Sequence, residues 1–231
     1  EARYAKVVDN GPTAEPYFAE TWGVCPSLLP SEGQASLQKL AIDSLKCCGF
    51  DCGVFHVECK LTSRGPRLIE INARMGGGQV RKTHLLASGV DLVEETLFTA
   101  VGIPCNPHVS IENTAVAYTY VTNQKSGVVD GLASAAKRVA ETDKSVAYCK
   151  PLVKDGAAIV GSNDALPDWL LDVMVTDSDA KRALDHVLSV ATALGFRQYW
   201  RRRWGAGKLA AALGFKQYWR RWSAGNTGGT A

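Results

Sequence analysis

The residues predict an α+β chain built on an antiparallel sheet, and three observations lead there. Residues 53–74 hold two strand-like runs of alternating character on either side of Leu61-Thr-Ser-Arg-Gly-Pro66, the pattern of a hairpin. Ser31–Cys48, Thr83–Val101 and Asp179–Leu194 carry apolar residues at helical spacing. Short β-type runs fill most of the interval between the second and third of these helices.

Taken in order, Tyr4–Val8 is short and apolar and runs into Asp9-Asn-Gly-Pro12, a strong turn signal. An opening in mid-strand, without methionine, leads to the expectation that the chain belongs to something longer. The first helix has Ser31 as its expected N-cap, Leu37, Leu40, Ala41, Leu45 and Cys48 on its apolar stripe, and Gly49 as its stop. Strands follow at Gly53–Lys60 and Arg67–Arg74. The second helix, Thr83–Val101, ends at Gly102, with Pro104 just beyond. Thr114–Thr122 reads as a buried strand and Lys125-Ser-Gly127 as a turn. Val128–Val129, Val146–Leu152 and Ala157–Val160 read as β-type runs, Trp169–Val175 as another strand, and Asp179–Leu194 as the last helix.

Composition narrows the class. The 231 residues are 46% hydrophobic and 21% charged, the balance of a folded chain with a core. No run reaches the roughly 18 apolar residues of a membrane-spanning helix, and no signal-peptide pattern opens the sequence. Seven cysteines, an odd set without a CxxC pair, fit neither a disulfide framework nor a zinc finger. Free thiols in a cytoplasmic protein are expected, with Cys47, Cys48 and Cys52 as small apolar packing at a helix end.

The net charge of +3 divides unevenly. No acidic residue follows Asp185, while eight basic ones do, which leaves residues 1–185 at a net −5. Within that basic tail Ala193–Arg202 recurs as Ala212–Arg221, with Lys216 in the place of Arg197. A helix advancing about 100° per residue would not put two copies 19 residues apart on one face. Trp200, Trp204, Trp219 and Trp222 stand there among arginines, a composition compatible with an anionic polymer or lipid surface and equally with a solvated local duplication.

The hairpin carries the chemistry. If its strands pair about Arg64, opposed residue numbers sum to 128, so that Glu58 faces Glu70 and His56 faces Asn72. One face then holds His56, Glu58, Glu70, Asn72 and Arg74, and the other holds Phe55, Val57, Ile69, Ile71 and Ala73, which is expected to be core. Two opposed carboxylates repel. A divalent cation removes that conflict, and carboxylates with an amide oxygen are ligands Mg2+ accepts when phosphates and water complete its shell. Arg74 adds a planar donor fork suited to phosphate. A solvated charged face, or a slipped register, also fits the pattern. Gly76-Gly-Gly78 lacks the GK[ST] ending of a P-loop and reads as a turn. His84, His108 and His186 stand isolated in the sequence.

The run VFHVECK…GPRLIEINARMGGG resembles the C-terminal half of the catalytic core of ATP-grasp ligases, with its strand-borne Glu followed by Glu-x-Asn-x-Arg and glycine. The wider run, with DNGPT at Asp9–Thr13, FAETWGVCPS at Phe18–Ser27 and GVDLVEETL at Gly89–Leu97, extends the resemblance over roughly residues 4–195. It implies a C-terminal ATP-grasp lobe with a metal and nucleotide hairpin over 1–104, a small α+β domain over 105–195, and the basic tail over 196–231 outside it. It also implies Glu58, Glu70 and Asn72 as ligands of Mg2+ or Mn2+, and Arg74 as the contact to the transferred phosphate. Leu68 is implied to pack on adenine, with Lys60 near phosphate.

Related amino-acid ligases place a substrate-contacting Glu-Thr-x-His upstream. Here Glu20-Thr-Trp-Gly23 keeps the Glu and has glycine where the histidine stands. The activity implied is joining a carboxylate to an amine through an acyl-phosphate, with ATP and amino acids as substrates; no nucleic acid partner and no membrane span are expected. A homo-oligomer is expected for the whole enzyme. The first lobe of the grasp would precede Glu1, so the chain by itself is expected to be inactive and to bind ATP weakly. Another ATP-grasp ligase with different substrates, or a non-catalytic product acting through its tail, are the competing readings.

Overall fold

A computed structural model describes residues 1–195; the duplicated tail over 196–231 lies outside the described residues. The chain starts with β1 (Asp9–Asn10) and β2 (Trp22–Cys25), then α1 (Ser31–Cys47) and the hairpin of β3 (His56–Thr62) and β4 (Gly65–Asn72). Two short helices, α2 (Val80–Ser88) and α3 (Leu92–Ala100), lead to β5 (Ala115–Val121) and β6 (Gly127–Val128). After them come α4 (Leu132–Thr142), β7 (Val146–Pro151), β8 (Ala158–Ile159), β9 (Leu171–Asp177) and α5 (Ala180–Gly195). Among the described residues no helix is long and apolar enough to cross a membrane.

The main sheet has five antiparallel strands in the order β1-β2-β5-β9-β7. Its centre is apolar on both faces: Val116, Ala117, Val173, Met174 and Val175 are fully buried. The sheet crosses the expected boundary between residues 104 and 105, because β2 pairs with β5 from Trp22↔Thr119 to Cys25↔Val116. Cys25, Val116 and Met174 pack with Ala87 of α2 on one face. The close approach at Gly23 is forced, since a Cβ there would lie 2.4 Å from Cζ of the Tyr118 ring. Tyr118 thus occupies the room left by the glycine that stands at the histidine position of the Glu-Thr-x-His pattern.

Several expected elements change. Residues 4–8 form no strand, and the pairing moves to Asp9–Asn10, where the turn was expected. The Asp9 carboxylate accepts from Ser27 Oγ at 2.5 Å and from Leu28 N–H at 2.7 Å, which ties the segment beyond β2 back to β1. Ser31 is the first residue of α1 rather than its cap; Pro30 takes the cap position and makes no side-chain cap bond. The single helix expected over 83–101 is two, because Gly89 adopts φ 74° and closes α2. Asp91 then caps α3, accepting from Val93 N–H at 3.0 Å.

The interval 128–161 also holds α4, which was not expected. Leu132 and Ala136, four residues apart, are its buried contacts. Its cap is Gly131 in the left-handed region, without the Ser, Thr, Asp or Asn that marks most helix starts.

Candidate active site

The hairpin is a two-stranded sheet of its own, with α1 packed across it. Leu61 lies against α1 so closely that a Cβ at Gly33 would be 3.0 Å from Leu61 Cδ2. By strand alternation Val57 and Cys59 share that covered face, leaving His56 and Glu58 on the other. The expected register holds where the chemistry is: His56↔Asn72, Val57↔Ile71 and Glu58↔Glu70. A bulge between Glu58 and Cys59 then shifts it, pairing Cys59 with Leu68, Lys60 with Arg67 and Thr62 with Gly65. The bulge leaves Ile69 unpaired and 62% exposed, so the expectation of a core position there is corrected.

The structure brings Glu58, Glu70, Asn72 and Arg74 together. Glu58 and Glu70 are register partners, which in antiparallel strands sit about 4.5–5.5 Å apart at Cα. His56 Nδ1 lies 4.0 Å from Glu58 Oε1 on the same face. Arg74 donates from Nη2 to Asn72 Oδ1 at 3.1 Å and from Nη1 to the Met75 carbonyl at 2.9 Å. Two opposed carboxylates beside an amide oxygen are a donor set that fits a hard divalent cation with open positions for phosphate and water. Among the described residues no three His, Cys, Asp or Glu side chains gather into a group that could hold a metal ion, the hairpin included, where the donor set is two carboxylates and one amide.

Leu68, 42% exposed, pairs with Cys59 beyond the bulge, so it shares the face of Val57 and Cys59 and not that of Glu58 and Glu70, where the unshifted register had put it. Lys60 is exposed opposite Arg67, towards the hairpin tip. Arg74 also lines a cavity of about 560 Å³ with Phe50, Phe55, Met75, Val93 and Leu97. Cys47, Cys48 and Cys52 are exposed rather than packed at the helix end. Glu20 belongs to a different neighbourhood, beside the five-stranded sheet, where burial chiefly raises the phenol pKa values of Tyr118 and Tyr120 and the Glu20 charge adds to it.

That neighbourhood contains residues that sequence reasoning missed. Asp172 on β9 is register partner to Tyr120 on β5 and Lys150 on β7. It is 3% exposed, and its Oδ2 accepts from the Gln79 amide and, at 2.5 Å, from the Tyr148 hydroxyl. Tyr148 also reaches Gln79 Oε1. Asp172 Oδ1 is buried without a partner. Burial outweighs these bonds and nearby Lys150, so the carboxyl is held above its usual pKa. Gln79 directly follows the glycine turn that leaves Arg74, and the Tyr120 hydroxyl lies 2.8 Å from where a Gly78 Cβ would be. The one sequence signal was a lone acid inside the apolar strand Leu171-Asp-Val-Met-Val175.

A Ser, His and Asp also meet, but not as a nucleophilic relay. His186 Nε2 contacts both Asp143 Oδ2 at 2.6 Å and Ser145 Oγ at 3.3 Å, while Ser145 donates to Asp143 Oδ1 at 2.6 Å. A relay needs the acid and the hydroxyl on opposite ring nitrogens, so this is a structural clasp between α5 and the end of α4.

Compared with solved structures, the chain superposes on phosphoribosylglycinamide synthetase from Anaerococcus prevotii with a TM-score of 0.66 at 12% identity, covering 81% of this chain and 47% of that one. It superposes on L-amino acid ligase from Bacillus licheniformis with a TM-score of 0.62 at 19% identity, covering 76% and 43%. The fold is that of the ATP-grasp ligases. In sequence, the chain is 46% identical over 100 residues to carnosine synthase 1 of Gallus gallus, which is 43% of this chain and 11% of that protein. The chain thus matches about a tenth of the length of that relative. No family model matches it. Within the ATP-grasp fold, the chain corresponds to a little under half of either solved enzyme.

Proposed function

We propose that the chain is part of a cytoplasmic ATP-dependent carboxylate–amine ligase that joins β-alanine to L-histidine. The observation that carries the reading is the Glu58↔Glu70 pair with Asn72 and Arg74 beside it on an ATP-grasp fold. The similarity to carnosine synthase 1 supports the choice of substrates.

Glu58, Glu70 and Asn72 would hold Mg2+, or Mn2+ in its place. The ion supplies charge neutralisation and in-line alignment of the triphosphate, on which phosphoryl transfer chiefly depends. A carboxylate oxygen of β-alanine forms a bond to the γ-phosphorus of ATP as the bond to the ADP oxygen breaks. The Arg74 fork, already aimed at the ligand face through Asn72, takes the oxygens of the transferred phosphoryl group. The α-amine of L-histidine, once its ammonium form has lost a proton, attacks the acyl carbon, and phosphate leaves with the bonding pair and takes up the amine's remaining extra proton. Lys60, on the face of Glu58, offers a cation near the phosphates, and Glu20 a contact to the amino-acid substrates. Exclusion of water while both substrates are held favours the amide over hydrolysis.

The test is Mg2+-dependent ADP release in the presence of β-alanine and L-histidine. The chain by itself is expected to give none, and turnover is expected when the other half of the grasp is supplied. Glu70→Ala should then abolish turnover, as expected when a ligand of a catalytic ion is lost. Restored turnover unaffected by that substitution would overturn the metal assignment.

A further inference from the structure

The Asp172 network is short of donors. Gln79 gives its amide to Asp172 Oδ2, and the single Tyr148 proton is shared between that oxygen and Gln79 Oε1. Asp172 Oδ1 receives nothing, although the residue is 97% buried by its 3% exposure. An unpaired buried acceptor is destabilising, the more so when it is charged. The cost is removed when a donor arrives.

The surroundings specify that donor. Asp172, Tyr118, Tyr120 and Tyr148 lie on one face of the sheet by their register positions, with Tyr120 stacked on Trp169 at 4.1 Å. Asp172 is the register partner of Tyr120, and Glu20 directly precedes Thr21, whose carbonyl accepts from Tyr120 N–H at 3.4 Å, so two carboxylates stand beside that aromatic wall. Lys150 opposite Asp172 and Lys82, with Nζ 5.7 Å from the Tyr148 ring centroid, are exposed and bond neither carboxylate. Carboxylates among aromatic rings favour an alkylammonium over an anion or a neutral hydroxyl. Among the described residues, the turn at Gly77–Gly78, both exposed, comes close to the network, since a Cβ at Gly78 would lie 2.8 Å from the Tyr120 hydroxyl, and it leads directly from Arg74.

We propose that Asp172, held by Gln79 and Tyr148 and flanked by Tyr120 and Glu20, is the anchor for the ammonium group of an amino-acid substrate, reached beneath the Gly77–Gly78 turn. This deepens the ligase reading and rests on it, because it places an amine next to the turn that carries the phosphate-binding arginine. Gln79 and Tyr148 are positioning residues: they hold Asp172 Oδ2 and leave Oδ1 for the ligand.

Calorimetric titration of the full 231-residue chain with L-histidine, and separately with imidazolelactate, tests the assignment. The second probe replaces the amine by a hydroxyl at nearly the same size. The chain is expected to bind L-histidine at least about tenfold more tightly, the value of one charge-assisted hydrogen bond. Asp172→Asn should abolish that preference. Its carboxamide oxygen can still accept from Gln79 and Tyr148, while its NH2 occupies the free position and opposes a cation.

Equal affinity for the two probes, or no binding of L-histidine, overturns the assignment without recourse to any variant. So does a folded Asp172→Asn chain that keeps the preference. Glu20→Gln, at an exposed position, is expected to weaken L-histidine binding by about threefold, the size of a solvent-exposed charge contact. ADP release in the complementation assay separates the two readings. Turnover with no amine preference sinks the subsite alone, and amine preference with no turnover sinks the ligase reading alone.

Discussion

His84 on α2 is 7% exposed, and its Nδ1 lies 2.7 Å from the Tyr4 hydroxyl. Burial, with Lys6 and His56 adding repulsion, lowers its pKa to about 4. An unfolded histidine titrates near about 6.5, so between those values the unfolded chain binds the extra proton. The stabilisation is therefore complete above about pH 6.5 and declines as pH falls through this window, by about 3 kcal/mol in all. Urea unfolding at pH 7, 5.5 and 4.5 should show that decline, and His84→Gln should remove most of it; a parallel loss in both proteins would assign it to other groups. From the sequence this histidine had no partner, because Tyr4 is 80 residues away and meets it only through the fold. Glu58, Glu70, Asn72 and Arg74 were legible for the opposite reason. They sit within one hairpin, where alternation and a tight turn set both face and pairing.

At the level of elements, the corner between α2 and α3 shows what local pattern misses. Apolar residues run at helical spacing from Thr83 to Val101, so periodicity joins them into one helix. Gly89 turns left-handed instead, and Asp91 caps the new helix while Arg81 grips its carboxylate at 2.8 and 2.5 Å. The Arg81 bond, with the capped amides adding to it, holds the Asp91 carboxyl down at about 2. Asp91→Ala is expected to cost about 1 kcal/mol through the lost cap. Thermal unfolding would register this as a lower midpoint at pH 7, and an unchanged midpoint would mean that the cap is redundant. The bulge beyond Glu58 has a related origin. Opposed numbers sum to 128 as far as Glu58↔Glu70, but the tight turn from Thr62 to Gly65 requires a sum one lower, and Ile69 is the residue left over.

For the whole molecule, stability rests on the sheet that draws together both ends of residues 1–195. Met174 is at its centre with no exposed surface, packed with Cys25, Val116 and Ala87 from three other elements. Met174→Ala is expected to cost about 2–5 kcal/mol, and chemical denaturation would show it as a lower midpoint at unchanged slope. A loss below about 0.5 kcal/mol would mean that the neighbours close the cavity. The sequence by itself determined the antiparallel hairpin, the pairing of Glu58 with Glu70, the placing of Asn72 and Arg74 beside them, and the first and last helices. Each of these depends on neighbours within about one turn or one hairpin, where periodicity acts directly. Only the tertiary structure decided that β2 joins β5 and that Gly23 makes room for Tyr118. It alone brought Gln79, Tyr148 and Asp172 to one point from positions up to 93 residues apart. Burial and hydrogen-bond satisfaction set those choices, and both are properties of the packed chain that no local pattern carries.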